Sequence, residues 1–264
     1  MPEIFFHKPD LNSLAKQGCK CVDMHFQTLH STGSSTVDEI LKKARKLNIG
    51  VAITDHDDIS GVLEAYEKKT DEDFIIPGIE VRSEENIDLL YYFYDIKSIK
   101  KFYSELIKHN KTVFGNRPIA VKTKINVPLK KLITQSGKYN CIFSVAHPFG
   151  YHKRRRADIL EEFKDILPKQ NIFEAVNGVN SLVSNKKSAE FIRVNNKGFT
   201  GGSDGHSIFE LGEVVTYSKA RDVKEFLDNI KAKKNSVAGT SNSTGRFGPY
   251  LLFGINYLKT MMLR

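Results

Sequence analysis

A chain of 264 residues and 29.9 kDa can bury one large core. Its three cysteines, Cys19, Cys21 and Cys141, are too few for a disulfide scaffold and point to a reducing, cytoplasmic compartment, and the opening MPEIFFHKPD does not read as a signal peptide. No stretch approaches the ~18 apolar residues of a membrane span, and the net charge of +9, carried by lysines on solvated faces such as LKKARKL, suits anionic substrates better than a dedicated nucleic-acid motif.

Residues 1–19 read as an N-terminal extension. The first strand, Cys21–His25, is followed by Gln27, and Asp23, His25 and Gln27 read as three polar side chains on one face. The helix Thr36–Leu47 has Thr36 as its cap and Glu39 three residues on, as in a capping box. Val37, Ile40, Leu41, Ala44 and Leu47 then form one apolar stripe. Further strands are expected at Gly50–Thr54, Phe74–Val81, Ile87–Tyr94, Ile142–Ala146, Ile172–Val176 and Glu213–Tyr217. Helices are expected at Ile59–Lys68, Ile99–His109, Pro128–Gln135, Ala157–Ile166, Val183–Val194 and Val223–Ala232. Strands alternating with helices argue for an α/β domain over residues 20–232 with a parallel sheet and helical crossovers. A barrel suits this rhythm, because no Gly-rich dinucleotide loop follows the first strand. Residues 233–249, rich in Gly, Ser, Thr and Asn, read as a loop, and residues 250–264 as an apolar tail that docks onto the domain, a surface for a partner or a membrane face being the alternative.

In a barrel the chemistry collects at the C-terminal strand ends. Five such ends carry acids or imidazoles: Asp23, His25 and Gln27; Asp55, His56 and Asp57 in VAITDHDD; Glu80 in IIPGIEV; His147 in FSVAHPFG; and Asp204 and His206 in FTGGSDGHS. A lone histidine at a strand end is usually a hydrogen-bonded structural residue. The collective pattern instead suits a site for Zn²⁺, Mn²⁺ or Fe²⁺.

These stretches resemble the motifs of the PHP family, the polymerase and histidinol phosphatase domain. VDMHFQTLHSTG resembles its first motif, AITDHD its second, PGIEV the segment with its bridging glutamate, VAHP its Ala-His-Pro and GSDGH its last. The resemblance implies a distorted (β/α)7 TIM-like barrel holding two or three divalent metal ions. It also implies a phosphoesterase that hydrolyses a small phosphorylated substrate or nucleotide with a metal-activated water. A nuclease or nucleic-acid-associated module, and a non-catalytic domain with a decayed metal site, are the alternatives. Carried over by motif, His25 and Asp204 share one metal with Glu80, Glu80 bridges to a second held partly by His147, and His56 and His206 serve a third. Asp55 or His206 would move protons.

The departures from the motifs are specific. Gln27 stands where a second histidine is expected, Thr32 where an aspartate is expected, and Asp88 in IDLLYYF where another ligand histidine belongs. Gln27 can still ligate through its carbonyl oxygen, more weakly than imidazole. Asp88 is an oxygen ligand that would favour Mn²⁺ or Mg²⁺, and Thr32 is a poor ligand, so the third site is the one expected to be empty. After the Ala-His-Pro motif, FGYHKRRR offers Lys153, Arg154 and Arg155 as phosphate-binding groups, a solvated basic turn being the alternative.

Overall fold

The computed structural model describes residues 2–114, 122–150, 165 and 172–241. The helix expected at Ala157–Ile166, apart from Asp165, lies outside the described residues, as do Lys153, Arg154, Arg155 and the tail. The strands are β1 (Ile4–Phe5), β2 (Lys20–Phe26), β3 (Gly50–Ile53), β4 (Ile75–Arg82), β5 (Asp88–Phe93), β6 (Lys111–Phe114), β7 (Lys122–Ile125), β8 (Cys141–Val145), β9 (Ile172–Asn177), β10 (Gly198–Gly202), β11 (Val214–Ser218) and β12 (Ser236–Gly239). The helices are α1 (Leu11–Lys16), α2 (Val37–Leu47), α3 (Ser60–Lys68), α4 (Ile96–Phe102), α5 (Leu129–Ser136), α6 (Leu182–Val194) and α7 (Val223–Lys231). None of the helices among the described residues is long and apolar enough to cross a membrane.

A ten-stranded sheet runs in the order β1-β12-β11-β2-β3-β4-β5-β8-β9-β10, with β6 and β7 as a separate hairpin. β2, β3 and β4 are parallel, joined by the crossovers α2 and α3. β5 then turns back antiparallel to β4, through a tight turn in which Asn86 takes φ 63° and Ser83 N donates to Ile87 O at 2.9 Å. β8, β9 and β10 are parallel again, while β11 is antiparallel to both β2 and β12. The expected α/β barrel is therefore present as a curled sheet with antiparallel strands inserted. Its mouth closes where Gln27 N donates to Gly205 O at 2.9 Å and Gly201 N to Thr216 Oγ1 at 2.8 Å. A Cβ on Gly202 would overlap the His25 backbone, which is why the approach of β10 to β2 needs glycine there.

Several elements differ from the sequence reading. The segment read as a loop over 233–249 contains β12, whose small residues gave little strand signal. The helix expected at Ile99–His109 starts earlier, because Asp95 caps it by accepting from Ser98 N at 2.7 Å, and it ends in a π turn over Tyr103–Ile107. The capping box at Thr36 and Glu39 forms as expected, and Val37, Ile40, Leu41 and Ala44 are buried.

Two apolar clusters flank the curled sheet. The larger lies between sheet and helices and includes Cys21, Phe26, Ile40, Val51, Ile53, Ile79, Tyr91 and Phe173. The smaller fills the inside of the curl, with Val22 and Met24 of β2, Ala52, Ile76, Leu90, Tyr92 and Ile172. Phe226, Leu227 and Ile230 of α7 belong to the inner cluster and plug one end of it. Burying each such side chain contributes about 1.5–3 kcal/mol. The polar residues sit at the other end of the same strands.

Candidate metal centre

The register of β2 against β3 slips between Asp23 and Phe26, an inserted residue in the strand. Val22 and Met24 face the inner cluster, Phe26 faces the outer one, and His25 and Gln27 return to the inside above them. Asp23 therefore does not share a face with His25 and Gln27, because the bulge reverses the alternation. Its carboxylate accepts from Ser203 N at 2.9 Å, Gly212 N at 3.0 Å and His25 N at 3.3 Å, and so ties β10 and the turn before β11 to β2. Burial pushes Asp23 up to about 6, against the pull of those three donors.

Glu80 is the centre of the cluster. Its Oε2 lies 3.2 Å from His25 Nε2, 3.2 Å from His56 Nδ1 and 2.8 Å from Gln27 Nε2, and its Oε1 lies 3.4 Å from His147 Nε2. His25 Nε2 also reaches Asp204 Oδ1 at 3.3 Å, and His147 Nε2 reaches Asp88 Oδ2 at 3.6 Å. Among the described residues, two groups thus have ligand atoms close enough for one ion each: His25, Glu80 and Asp204, and Glu80, Asp88 and His147. Glu80 belongs to both. His147 at φ 31° and Asp204 at φ 51° hold left-handed backbone conformations, as does Asp57 at φ 51°. Such strained geometry in non-glycine residues concentrates at functional sites.

The charges hold one another in place. Burial would lower the His25 imidazole, but Asp204, Glu80 and Glu174 outweigh it and hold its pKa well above the usual value. Burial would raise Glu80, yet His56, His25 and His147 keep it well below the ordinary carboxylate range. Asp204 is likewise lowered, burial being outweighed by His25. Asp88 is lowered because burial is outweighed by the Arg82 guanidinium, which grips it through Nε at 2.7 Å and Nη2 at 3.0 Å.

The remaining expected residues sit around this centre. Asp55 accepts from Thr28 N, Thr28 Oγ1 and Ser31 Oγ, each at 2.7 Å, so its carboxylate braces the loop after β2. His206 lies beside Asp204, with Nδ1 2.8 Å from the Asp204 carbonyl oxygen. The buried Thr32 hydroxyl has no hydrogen-bond partner among the described residues. Lys153, Arg154 and Arg155 fall outside the described residues.

The sequence reading missed Glu174. Its Oε1 lies 3.0 Å from His25 Nδ1, while Oε2 accepts from His147 N at 2.7 Å and Asn177 Nδ2 at 2.9 Å. Asn177 Nδ2 in turn lies 3.1 Å from Asp204 Oδ2. A carboxylate behind an imidazole fixes the ring and leaves the other nitrogen facing outward, the usual arrangement behind a metal-ligating histidine. The available signal was a charged residue in the otherwise apolar run IFEAV. Arg82 and Ser31 were missed for the opposite reason, since polar residues beside turns are ordinary.

The donor set of imidazoles, carboxylates and one amide fits a borderline divalent cation. Comparison with known proteins agrees with this chemistry. The family model described as PHP domain matches residues 23–177, and that described as PHP-associated matches residues 183–235. No curated protein matches the sequence. Among solved structures, a presumed metal-dependent phosphoesterase from Bifidobacterium adolescentis is 16% identical at TM-score 0.53, over 85% of this chain and 98% of that one. The lesion-specific endonuclease PfuEndoQ from Pyrococcus furiosus is 16% identical at TM-score 0.62, over 83% of this chain and 57% of that one. An Endonuclease Q complex with a 27-mer duplex carrying an abasic lesion is 15% identical at TM-score 0.64, over 84% of this chain and 60% of that one. At these identities the likeness is one of fold.

Proposed function

Given that the chain belongs to the PHP domain family, we propose that it is a metal-dependent phosphoesterase acting on a small phosphorylated molecule or nucleotide. The observation that carries the reading is Glu80, whose two oxygens are shared between two groups of buried potential ligands. His25, Asp204 and the Gln27 amide would hold one cation with Glu80; His147 and Asp88 would hold the other, and His56 completes the ring around Glu80. Such cations, when bound, neutralise phosphoryl oxygens and make hydroxide available near neutral pH.

The chain's own residues supply the rest. Glu174 holds a proton on His25 Nδ1, so that Nε2 would offer its lone pair to a cation that displaces the second ring proton. Arg82 neutralises much of the Asp88 charge, which weakens the Asp88 group as a cation site relative to that of His25 and Asp204. The first group would therefore fill at lower cation concentration. His206 donates its Nδ1 proton to the Asp204 carbonyl, leaving Nε2 to exchange a proton with a leaving group. Asp55, held by Thr28 and Ser31, is the weaker candidate for that role. Lys153, Arg154 and Arg155 would meet the phosphate from the segment after His147.

A panel of phosphomonoesters and phosphodiesters, assayed with Mn²⁺ or Zn²⁺, tests the reading. Turnover should depend on the cation and vanish with chelator, and Asp204→Asn should lose both cation and turnover. Unchanged hydrolysis in that variant would refute the assigned site. The net charge of +9 and the likeness in fold to Endonuclease Q favour a second reading, a nuclease. Steep salt dependence of oligonucleotide binding would support it.

A further inference from the structure

We infer that the Gln27 amide takes opposite orientations in the cation-free and cation-bound protein, and that Ser31, braced by Asp55, is the positioning residue that selects the liganding one. The inference rests on the proposed cation site. Gln27 is fully buried, at 0% exposure, so water does not complete its hydrogen bonds. The Ser31 hydroxyl lies 2.7 Å from Gln27 Oε1 and 2.7 Å from Asp55 Oδ1. A hydroxyl has one proton. Thr28 already directs its N–H and its hydroxyl at Asp55, the pattern of a carboxylate that accepts. With Asp55 ionised and the amide in this orientation, one of the two short Ser31 contacts sets lone pair against lone pair. On its other side, Gln27 Nε2 donates to Glu80 Oε2 at 2.8 Å.

Half a turn of the amide exchanges its nitrogen and oxygen with little change of shape. Nε2 then donates to Ser31 Oγ, Ser31 donates to Asp55, and every donor on that side has an acceptor. The same turn sets Gln27 Oε1 against the Glu80 carboxylate. Two oxygens at contact distance with no proton between them are unfavourable, unless a cation lies between. Without a cation, one orientation is in conflict at Ser31 and the other at Glu80. A cation removes the second conflict and leaves the turned amide satisfied on both sides. An amide can in this way serve where an imidazole would be the stronger ligand: the chain Asp55–Ser31 holds its carbonyl toward the ion.

The test is equilibrium binding of Mn²⁺ alone to the full chain, with thermal melting as the check on folding. The variants are Ser31→Ala, Ser31→Thr, Gln27→Glu and the double variant Gln27→Glu/Ser31→Ala. Loss of such a supporting partner costs 10–100-fold in metal affinity, so Ser31→Ala should weaken Mn²⁺ binding by about tenfold or more. Ser31→Thr, which keeps the hydroxyl, should restore most of it. Glutamate at 27 has two oxygens and no orientation to choose, so adding Ser31→Ala to it should cost less than about threefold. An equal loss in both backgrounds overturns the inference. Wild type that binds Mn²⁺ no better than Ser31→Ala overturns the inference alone, whereas wild type that binds no Mn²⁺ overturns the cation reading beneath it. The wild-type protein gives a second readout. The Gln27 side-chain N–H signals, identified by their absence in Gln27→Glu, should leave a carboxylate-bonded position when Zn²⁺ is added; unmoved signals in the Zn²⁺-loaded protein overturn the proposal.

Discussion

Replacing Glu174 by glutamine changes one oxygen into an NH₂ group and leaves the shape nearly intact. Glu174 Oε1 faces His25 Nδ1 at 3.0 Å, and Oε2 faces two donors, His147 N at 2.7 Å and Asn177 Nδ2 at 2.9 Å. If the new amide keeps its oxygen toward His147 and Asn177, its NH₂ meets His25 Nδ1. The imidazole must then give up its Nδ1 proton and keep the one on Nε2, the atom that faces Glu80 and Asp204. If the amide turns round, its NH₂ meets two donors instead. The first orientation forfeits the buried His25–Glu174 ion pair and the second sets buried donors against one another, at a cost of about 1–3 kcal/mol. For a domain of this size that lowers the melting temperature by roughly 2–10 °C. Cation affinity should fall by about 10–100-fold, because the ring behind the ligand is misprotonated or loosened. Melting curves with and without Mn²⁺, alongside equilibrium Mn²⁺ binding, read both effects. A Glu174→Gln variant that melts and binds like wild type would refute the role given to Glu174.

Three further substitutions probe other parts of the fold. Phe226→Ala, at the plugged end of the curl, should cost about 3–5 kcal/mol in urea unfolding while leaving Mn²⁺ affinity unchanged; a negligible cost would mean that α7 does not seal the inner cluster. Asp23, raised to about 6, favours the folded state when protonated. Its contribution is therefore full below the ordinary carboxylate range and is lost as pH rises through about 6, by roughly 3 kcal/mol. Asp23→Asn should remove that slope from stability measured between pH 4 and 7, and parallel profiles for the two proteins would contradict it. Gln27→His should raise Zn²⁺ affinity, since imidazole is a better zinc ligand than an amide; unchanged affinity would show that residue 27 does not ligate.

Much of the candidate site was legible because its residues stand at strand ends, where His25, Glu80, His147 and Asp204 break apolar runs at the boundary of a turn. Those same four residues converge in space. Asp23 was misread because side-chain alternation was counted straight through β2, and a bulge cannot be seen in a pattern of period two. Glu174 was missed because its partners, His25 and His147, are distant in sequence and the strand IFEAV read as ordinary core. The pairing of Arg82 with Asp88 depends on the tight turn between β4 and β5, which brings two unremarkable surface residue types together. β12 escaped because Ser, Ala and Gly carry little strand preference, and its strand is fixed by pairing with β11.

The sharing of Glu80 by two cation groups is tested most directly by anomalous diffraction at the manganese edge from crystals soaked in Mn²⁺. The expected result is density against Glu80, between His25 and Asp204 first, and beside His147 and Asp88 at higher Mn²⁺ concentration. Ordered manganese elsewhere on the protein, with none touching Glu80, would contradict it.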